Sequence, residues 1–320
     1  MYGNVSRSDE YKRRLIEFIH QEYEISANNI IPAQRGYYGE TWRLDAADKS
    51  YFLKLDYSTH QIIYERSFPV IEHINNHGVN YISRIIKTAD GGLFLRFDGA
   101  VLGIFDWIDG KNEQNEQTKF AEYDILGEVY TVPTDNLTIS RDEFSAANAD
   151  LFFQQWDKLK TLTDDTSIRI SSLFDEYNSI LIHRANRLAL FAERCKCDES
   201  HFYITHGDAG GNVIISGDDY YIVDWDDPRI APPERDAWFA LYWDWAMTAF
   251  NNSLQKHGIN YTSRAERLAY YCYHYFFFYL NGYMETYFDI GNGTEDMRAN
   301  LKDYFNCWIE EEIKYADKMK

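Results

Sequence analysis

Two hydrophobic patterns divide the chain, and the change between them predicts its fold class. In the first third, short apolar runs with alternating polar positions are separated by turn residues, which is typical of β-strands. In the rest of the chain, apolar side chains recur at helical spacing over long stretches. Strands followed by helices favour an α+β fold over an alternating α/β fold.

The N-terminal third is predicted to alternate helix, strands and helix. Residues 9–20 carry their apolar side chains on one helical face, and short strands are predicted at 38–44 and 51–55. A second helix is predicted within residues 59–76. It contains Pro69, which should kink or end it because proline removes a helical hydrogen bond.

Lys54 stands inside one of the predicted strands, in the apolar run from Phe52 to Leu55. Period-2 alternation places it on the same face as Phe52. A lysine on that face needs a buried partner or an anionic ligand. The alternative is an exposed lysine on an edge strand, where its charge discourages aggregation.

A second informative stretch is a predicted hairpin between Asn212 and Asp224. Asn212 precedes one apolar run and Asp224 follows another, with a turn at Gly217-Asp218-Asp219 between them. A hairpin centred on residue 218 places Asn212 opposite Asp224, with Cα atoms roughly 4.5–5.5 Å apart. An amide oxygen and a carboxylate at that separation can share one hard cation.

Asp208 lies four residues before Asn212 and is predicted beside the same end of the hairpin. An acid next to an oxygen-lined cation site is the arrangement that phosphoryl transfer requires. The alternative is a surface hairpin whose acidic side chains have no catalytic role, because Asp and Asn are common in turns and the whole chain is acidic.

Composition limits the class of protein and its partners. The 320 residues are 45% hydrophobic and 17% aromatic, enough for a large core in one two-lobed unit or two domains. Four cysteines are too few for a disulfide scaffold, so reduced thiols and a cytoplasmic location are expected. A net charge of −19 argues against a nucleic-acid partner. It suits either a cationic substrate or simple solubility.

No membrane segment is expected. The N-terminal residues lack the apolar core of a signal peptide. The longest aromatic-rich runs, 238–250 and 268–280, contain Asp244 and His274 and are too short to span a bilayer. Both are predicted to be buried helices.

The order His206-Gly207-Asp208, Asn212, a hairpin and then Asp224-Trp225 resembles the aminoglycoside phosphotransferase and choline kinase family, relatives of the protein kinases. The segment around 224–236 looks most like the spectinomycin phosphotransferase branch. The resemblance implies a bilobal kinase-like fold with an antiparallel-sheet lobe at 1–106, a hinge near 103–110, and a helical lobe at 107–320.

The resemblance also implies roles at the catalytic end. Asp208 would be the catalytic residue that orients and deprotonates a hydroxyl group, and Asn212 and Asp224 would hold Mg²⁺. One feature departs from the family pattern, because Asn212 follows Asp208 by four residues instead of five. Gly210 and Gly211 could adopt positive φ and still deliver Asn212. Alternatively, Asn212 does not ligate metal.

By the same resemblance, ATP or GTP would bind to the N-terminal lobe. Lys54 would contact the nucleotide phosphates, fixed by Glu65, or alternatively by Glu72, from the helix that follows. The loop 35–40, with Tyr38 and Gly39, would cover the phosphates. Backbone groups around Phe105 and Trp107 would bind adenine.

The implied function is a small-molecule kinase, transferring phosphate to a hydroxyl of an aminoglycoside or aminocyclitol antibiotic and thereby giving resistance. Metabolite acceptors of the choline, homoserine or methylthioribose type are alternatives. Two other classes remain open: a catalytically weak, pseudokinase-like nucleotide-binding protein, and an acidic metal-binding protein without nucleotide. A monomer or a homodimer is expected, without nucleic-acid or membrane partners.

Overall fold

The computed structural model describes residues 7–33, 39–57, 61–135, 137–196, 198, 200–240, 242–290, 301–305 and 310–319, with only the backbone at 61–64, 286, 289 and 290. The chain forms two compact units. The first consists of Met1–Ser140 and Tyr203–Ile230, and the second of Arg141–Phe202 and Ala231–Lys320. The predicted α+β class is confirmed, since nearly all the strand residues lie in the first unit and helices form the second.

The first unit contains a five-stranded sheet in the order β1-β2-β3-β5-β4, in which all neighbouring strands are antiparallel. Helix α1 precedes the sheet and helix α2 connects β3 to β4. The bounds are α1 Asp9–Tyr23, β1 Ala27–Pro32, β2 Glu40–Ala46, β3 Ser50–Asp56, α2 Gln61–Asn76, β4 Leu95–Phe97 and β5 Ala100–Asp106.

Alternation along β3 explains how the sheet is packed. Leu53 and Leu55 are fully buried and join the core that Leu15 and Ile19 of α1 complete. Lys54 lies on the opposite, half-buried face. Strand β3 is third in the order of five, so the edge-strand explanation of this lysine is wrong.

A second group of strands in the same unit carries the predicted hairpin. A three-stranded sheet has the order β6-β8-β9, and β7 pairs with β10. Helix α3 lies between β6 and β7 in the chain. The bounds are β6 Lys111–Asn112, α3 Glu116–Val129, β7 Tyr203–Thr205, β8 Val213–Ser216, β9 Asp219–Ile222 and β10 Arg229–Ala231. A lobe boundary near residue 106 stays a prediction.

The second unit is helical and rich in aromatic side chains. Its helices are α4 Ala147–Lys160, α5 Asp165–Glu176, α6 Asn178–Cys195, α7 Glu234–Ala237, α8 Asp244–Lys256, α9 Ala265–Ile290 and α10 Glu310–Asp317, and residues 301–305 are also helical. Most of the described residues of α9 are buried. Among the helices that the structure describes, α9 included, none is long and apolar enough to cross a membrane.

The apolar pattern does not mark where the helices of this unit begin and end. Residues 172–195 belong to two helices, α5 and α6, that meet at Tyr177, whose φ and ψ are −99° and 7°. Helix α5 begins earlier, because the side chain of Asp164 accepts a hydrogen bond from the Ser167 N–H and caps it. The helix predicted over 238–250 is wrong at its start, because α7 ends at Ala237, Trp238–Ala240 is a 3-10 helix, and α8 begins only at Asp244.

Glu312 on α10 gives the second unit a pH-dependent stability. Its residue is 3% exposed, and burial raises the pKa of its carboxyl from 4.5 to about 7. The folded state therefore holds this proton to higher pH than the unfolded chain does. The contribution of Glu312 to stability is greatest below pH 4.5 and is lost as the pH rises towards 7.

Replacing Glu312 by glutamine, which keeps the shape of the protonated acid, is expected to stabilise the protein above pH 7 by about 1–3 kcal/mol. Below pH 4.5 the variant should match the wild type. Urea unfolding across this pH range measures both limits. Glu311→Gln, at an exposed site on the same helix, is the control. A gain of equal size at every pH would contradict this role of burial.

Candidate active site

The hairpin forms as predicted, but its register differs by one residue. Ser216 pairs with Asp219 and Val213 with Ile222, which leaves a two-residue turn at Gly217-Asp218. Asn212 therefore lies opposite Val223, whose N–H donates to the Asn212 carbonyl at 2.9 Å. The predicted pairing of Asn212 with Asp224 is wrong, because the shorter turn moves the facing position back by one residue.

The loop that bears Asp208 closes as a short 3-10 helix at Ala209–Gly211. The Asn212 amide group donates to the Asp208 carbonyl at 2.7 Å, which ties the two ends of the loop together. Neither Gly210 nor Gly211 has positive φ, so the expectation that these glycines would adopt that conformation to place Asn212 is wrong. The positive φ occurs at Gly207, at 88°, immediately before Asp208.

His206 connects this loop to the end of the hairpin. Its Nε2 donates to the Val223 carbonyl at 3.0 Å, and its Nδ1 accepts from the Asp208 N–H at 3.1 Å. The ring is 3% exposed and packs edge-on against Trp225. A neutral imidazole with its proton on Nε2 satisfies both bonds, so His206 fixes the backbone at Asp208 relative to the residue before Asp224.

Three charged side chains converge next to the hairpin. The Lys54 ammonium group lies 2.6 Å from Asp224 Oδ1 and 2.6 Å from both carboxylate oxygens of Asp226. Its side chain is 11% exposed. The predicted need of Lys54 for a partner is thus met by two aspartates that lie 170 and 172 positions further along the chain.

The backbone and charge of Asp224 are both unusual. Its φ is 66°, in the left-handed region, where a residue other than glycine marks local strain. Burial raises the pKa of the Asp224 carboxyl, but the charge and hydrogen bond of Lys54 outweigh it and hold the pKa below its ordinary value. Solvent reaches 48% of the side chain and screens the pair. Asp224 is therefore ionised at neutral pH.

The donor set at this point fits Mg²⁺. Asp224 and Asp226 present carboxylate oxygens that already converge on one cation, the Lys54 ammonium. Asn212 uses its amide nitrogen in the loop, which leaves its amide oxygen for a metal. Among the described residues, no group of three His, Cys, Asp or Glu side chains forms a metal site. Mg²⁺ commonly takes only one or two carboxylates and completes its shell with water and phosphate oxygens.

Neither predicted glutamate is seen in an ion pair with Lys54. Glu65 pairs with Arg96, and Glu72 lies 2.5 Å from the Lys87 ammonium group. Each glutamate pairs with another cation, and Lys54 contacts two aspartates. A role for either glutamate in fixing Lys54 when nucleotide is bound stays a prediction.

The predicted phosphate loop is only partly described. Tyr38 lies outside the described residues. Gly39 is placed against β3, where a Cβ atom would stand 2.2 Å from the Leu55 carbonyl oxygen. Only glycine allows this close approach. It brings the end of the predicted loop next to the strand of Lys54, and nucleotide contact at Gly39 stays a prediction.

Phe105 and Trp107 lie at the end of β5. Phe105 is 7% exposed and contacts the rings of Phe52 and Phe68. The backbone N–H of Trp107 already donates to the Ser50 carbonyl at 3.4 Å. Trp107 also lines a cavity of about 850 Å³ that includes neither Lys54 nor any of the catalytic-loop residues. Adenine binding by this segment therefore stays a prediction.

Two site residues were missed from the sequence. Asp226 follows Asp224 by two positions, so the sequence places a second carboxylate close to a predicted metal ligand. That signal was available in the Asp-Trp-Asp triplet. The second is His206. No sequence pattern marks it, because its ring is hydrogen-bonded to the backbone of two residues, Asp208 nearby and Val223 17 positions further along the chain.

A model of the APH phosphotransferase enzyme family matches residues 29–271, and the chain belongs to this family. It is therefore a small-molecule phosphotransferase, and its structural neighbours show a protein-kinase-like fold. The search of curated proteins found no match.

Solved structures support the fold. Spectinomycin phosphotransferase APH(9)-Ia, in complex with ADP and spectinomycin, is 18% identical with a TM-score of 0.73, covering 96% of this chain and 97% of that chain. A putative aminoglycoside phosphotransferase from Ralstonia eutropha is 13% identical with a TM-score of 0.66, covering 97% and 99%. Choline kinase LicA from Streptococcus pneumoniae is 13% identical with a TM-score of 0.61, covering 97% and 99%.

Proposed function

We propose that the protein transfers the γ-phosphoryl group of ATP or GTP to a hydroxyl group of a small molecule. The observation that carries this proposal is the convergence of Lys54, Asp224 and Asp226, together with the loop in which His206 and Asn212 fix Asp208. Phosphoryl transfer depends mainly on positioning and charge stabilisation, and these groups supply both.

Asp208 is the proposed catalytic residue. Its side chain is exposed, while its backbone N–H and carbonyl are held by His206 and Asn212. An accessible carboxylate on a fixed backbone can orient the acceptor hydroxyl and take its proton as the new O–P bond forms. The closed 3-10 turn supports this role despite the shortened loop.

Lys54, Asp224, Asp226 and Asn212 are the proposed nucleotide and metal residues. A bound Mg²⁺ would be held by the aspartates and the Asn212 amide oxygen, and it would offset charge on the phosphates. Lys54 would then exchange its aspartate contacts for phosphate oxygens. The neighbour's complex with ADP supports nucleotide binding at this fold.

The proposed acceptor is a small polyhydroxy or amino-alcohol compound, with cationic aminocyclitols as the first candidates. The net charge of −19 favours cations, and spectinomycin is bound by the neighbour with the TM-score of 0.73. Choline kinase and ethanolamine kinase neighbours make amino-alcohols the second candidates. We assign the reaction to the cytoplasm, in keeping with buried free thiols at Cys195 and Cys272.

A screen of hydroxyl acceptors by nucleotide consumption tests the proposal. Aminocyclitols, aminoglycosides, choline, ethanolamine and homoserine are incubated with ATP or GTP and Mg²⁺. We expect one chemical class to raise consumption above the acceptor-free rate. A Mg²⁺-dependent thermal shift with ATP and no acceptor-dependent consumption would instead indicate a nucleotide-binding protein without kinase activity.

Lys54→Met is expected to weaken nucleotide binding by about 1.5–3 kcal/mol, roughly 10- to 150-fold, because a charge-assisted bond to phosphate is lost. The methionine keeps the apolar stem on β3. Titration calorimetry with MgATP measures the change. The control is Lys49→Met, since Lys49 forms a surface pair with Asp106 and its side chain is 46% exposed. Unchanged affinity in Lys54→Met would remove Lys54 from the nucleotide site.

A further inference from the structure

The loop that bears Asp208 has polar neighbours with no role in the proposed transfer. Its two glycines face the segment from β6 to α3. A Cβ atom on Gly210 would stand 3.2 Å from Lys119 Nζ, and one on Gly211 would stand 3.7 Å from Gln114 Nε2. The Asn112 amide group donates to the Gly211 carbonyl at 2.5 Å. Side-chain nitrogens therefore occupy the space that the two glycines leave.

Lys119 is held in this position by a buried acid. Its ammonium group lies 2.7 Å from Glu122 Oε2, and the two side chains are 15% and 1% exposed. A buried ion pair of this kind contributes little net stability compared with apolar residues of similar size. Stability alone therefore does not explain why this ion pair is buried next to the loop that bears Asp208. Within the described part of the chain, the ammonium group is seen to donate to Glu122, which uses one of its three donors and leaves two for a ligand.

We propose that Lys119 is a further catalytic residue, whose ammonium group binds the oxygens of the phosphoryl group during transfer. The inference rests on the proposed function. In the transfer, a bond forms between the acceptor oxygen and the γ-phosphorus while the bond from that phosphorus to the leaving diphosphate oxygen breaks. The hydroxyl proton moves to Asp208. Lys119 keeps its protons and stabilises the charge on the transferring group.

The position of Lys119 separates its role from that of Lys54. Gly210 lies between Asp208 and Asn212 in the chain, so the Lys119 ammonium group beside it lies against the loop that carries the residues assigned to the hydroxyl and the metal. Lys54 is bound to Asp224 and Asp226 on the hairpin side. A contact made chiefly during transfer should affect kcat much more than nucleotide affinity.

A transition-state analogue tests this without a known acceptor. Thermal unfolding is measured with Mg²⁺ and ADP, and again after fluoroaluminate is added to mimic the transferring phosphoryl group. We expect Lys119→Met to keep the shift given by Mg²⁺ and ADP and to lose most of the extra shift given by fluoroaluminate. With an identified acceptor, kcat should fall by about 10²–10³ while the nucleotide KM changes by less than about threefold.

Lys111→Met is the matched control. Lys111 lies on the same segment, pairs with Glu113, and its side chain is 66% exposed. This variant should show both thermal shifts at wild-type size. If Lys119→Met also shows both at wild-type size, the proposal is overturned, while the proposed function stands because the protein still responds to Mg²⁺, ADP and the mimic of the transferring group. If the wild type shows no shift with Mg²⁺ and ADP, both the proposed function and this inference are overturned.

A second variant separates catalysis from folding. Lys119→Met alone removes the cation seen to pair with buried Glu122, which costs stability. The double variant Lys119→Met with Glu122→Gln removes both charges and should recover most of that stability. We expect it to remain without the fluoroaluminate response. Recovery of the response in the double variant would show that Lys119 only balances Glu122, and would overturn the proposal.

Discussion

Replacing Asp208 by asparagine is expected to lower kcat by about 10²–10⁴, the usual contribution of a positioned acid–base group. Asparagine has nearly the same shape but cannot accept the hydroxyl proton. The backbone bonds from Asp208 to His206 and Asn212 do not involve the side chain, so the loop should keep its structure. Nucleotide affinity, measured by calorimetry, should therefore stay close to that of the wild type.

Asp218→Asn is the matched control, because Asp218 lies exposed in the turn of the same hairpin. Its kcat should equal that of the wild type. An Asp208→Asn variant with full turnover would show that another group takes the proton. A variant that lost nucleotide binding as well would show that Asp208 acts through the nucleotide site instead.

Replacing Arg267 by methionine is expected to destabilise the second unit by about 3–5 kcal/mol, the cost of breaking a buried charged network. Arg267 is 2% exposed and donates to the Tyr261 hydroxyl at 2.9 Å and to the Asp198 carbonyl at 2.7 Å. Tyr261 in turn donates to Glu234 at 2.5 Å. Burial raises the pKa of the Glu234 carboxyl, so its charge depends on this network.

Arg264→Met provides the comparison within the same network. Arg264 also pairs with Asp198, but its side chain is 43% exposed, so its loss should cost less than about 1 kcal/mol. Its backbone N–H, which donates to Glu234, is unaffected. Urea unfolding followed by tryptophan fluorescence measures both variants. Equal losses in the two would mean that burial does not set the contribution of Arg267.

Elements with strong periodicity were predictable from local sequence. The alternation around Lys54 correctly placed it on the face of Phe52, opposite the buried Leu53 and Leu55. Helix α1 extends three residues beyond its predicted end, since the last turn runs to Tyr23. These features depend on contacts between neighbours in the chain, which a periodic pattern records directly.

The details of the site depend on geometry that residue types do not record. A turn of two residues and one of three fit the same Gly-Asp-Asp sequence, yet they place Asn212 opposite different residues. The loop 208–212 contains two glycines that could adopt positive φ, but the chain uses Gly207 for that purpose. In both cases several conformations suit the residues, and tertiary contacts select one.

The partner of Lys54 is a long-range choice of the same kind. Helix α2 offered Glu65 nearby in sequence, whereas the aspartates that bind Lys54 lie 170 and 172 positions away. Spacing along the chain does not show that Lys54 and the two aspartates lie close together in the folded protein. Only the tertiary fold brings the charge on β3 next to the charges at the end of the hairpin.

Transfer of radiolabelled phosphate from ATP labelled at the γ-phosphorus to an organic acceptor tests the central claim most directly. The labelled product is separated from inorganic phosphate, with wild-type protein and the Asp208→Asn variant run in parallel. The account predicts that label enters the acceptor with the wild type and Mg²⁺, and that Asp208→Asn reduces this rate by about 10²–10⁴. Label released only as inorganic phosphate, or equal transfer by both proteins, would contradict it.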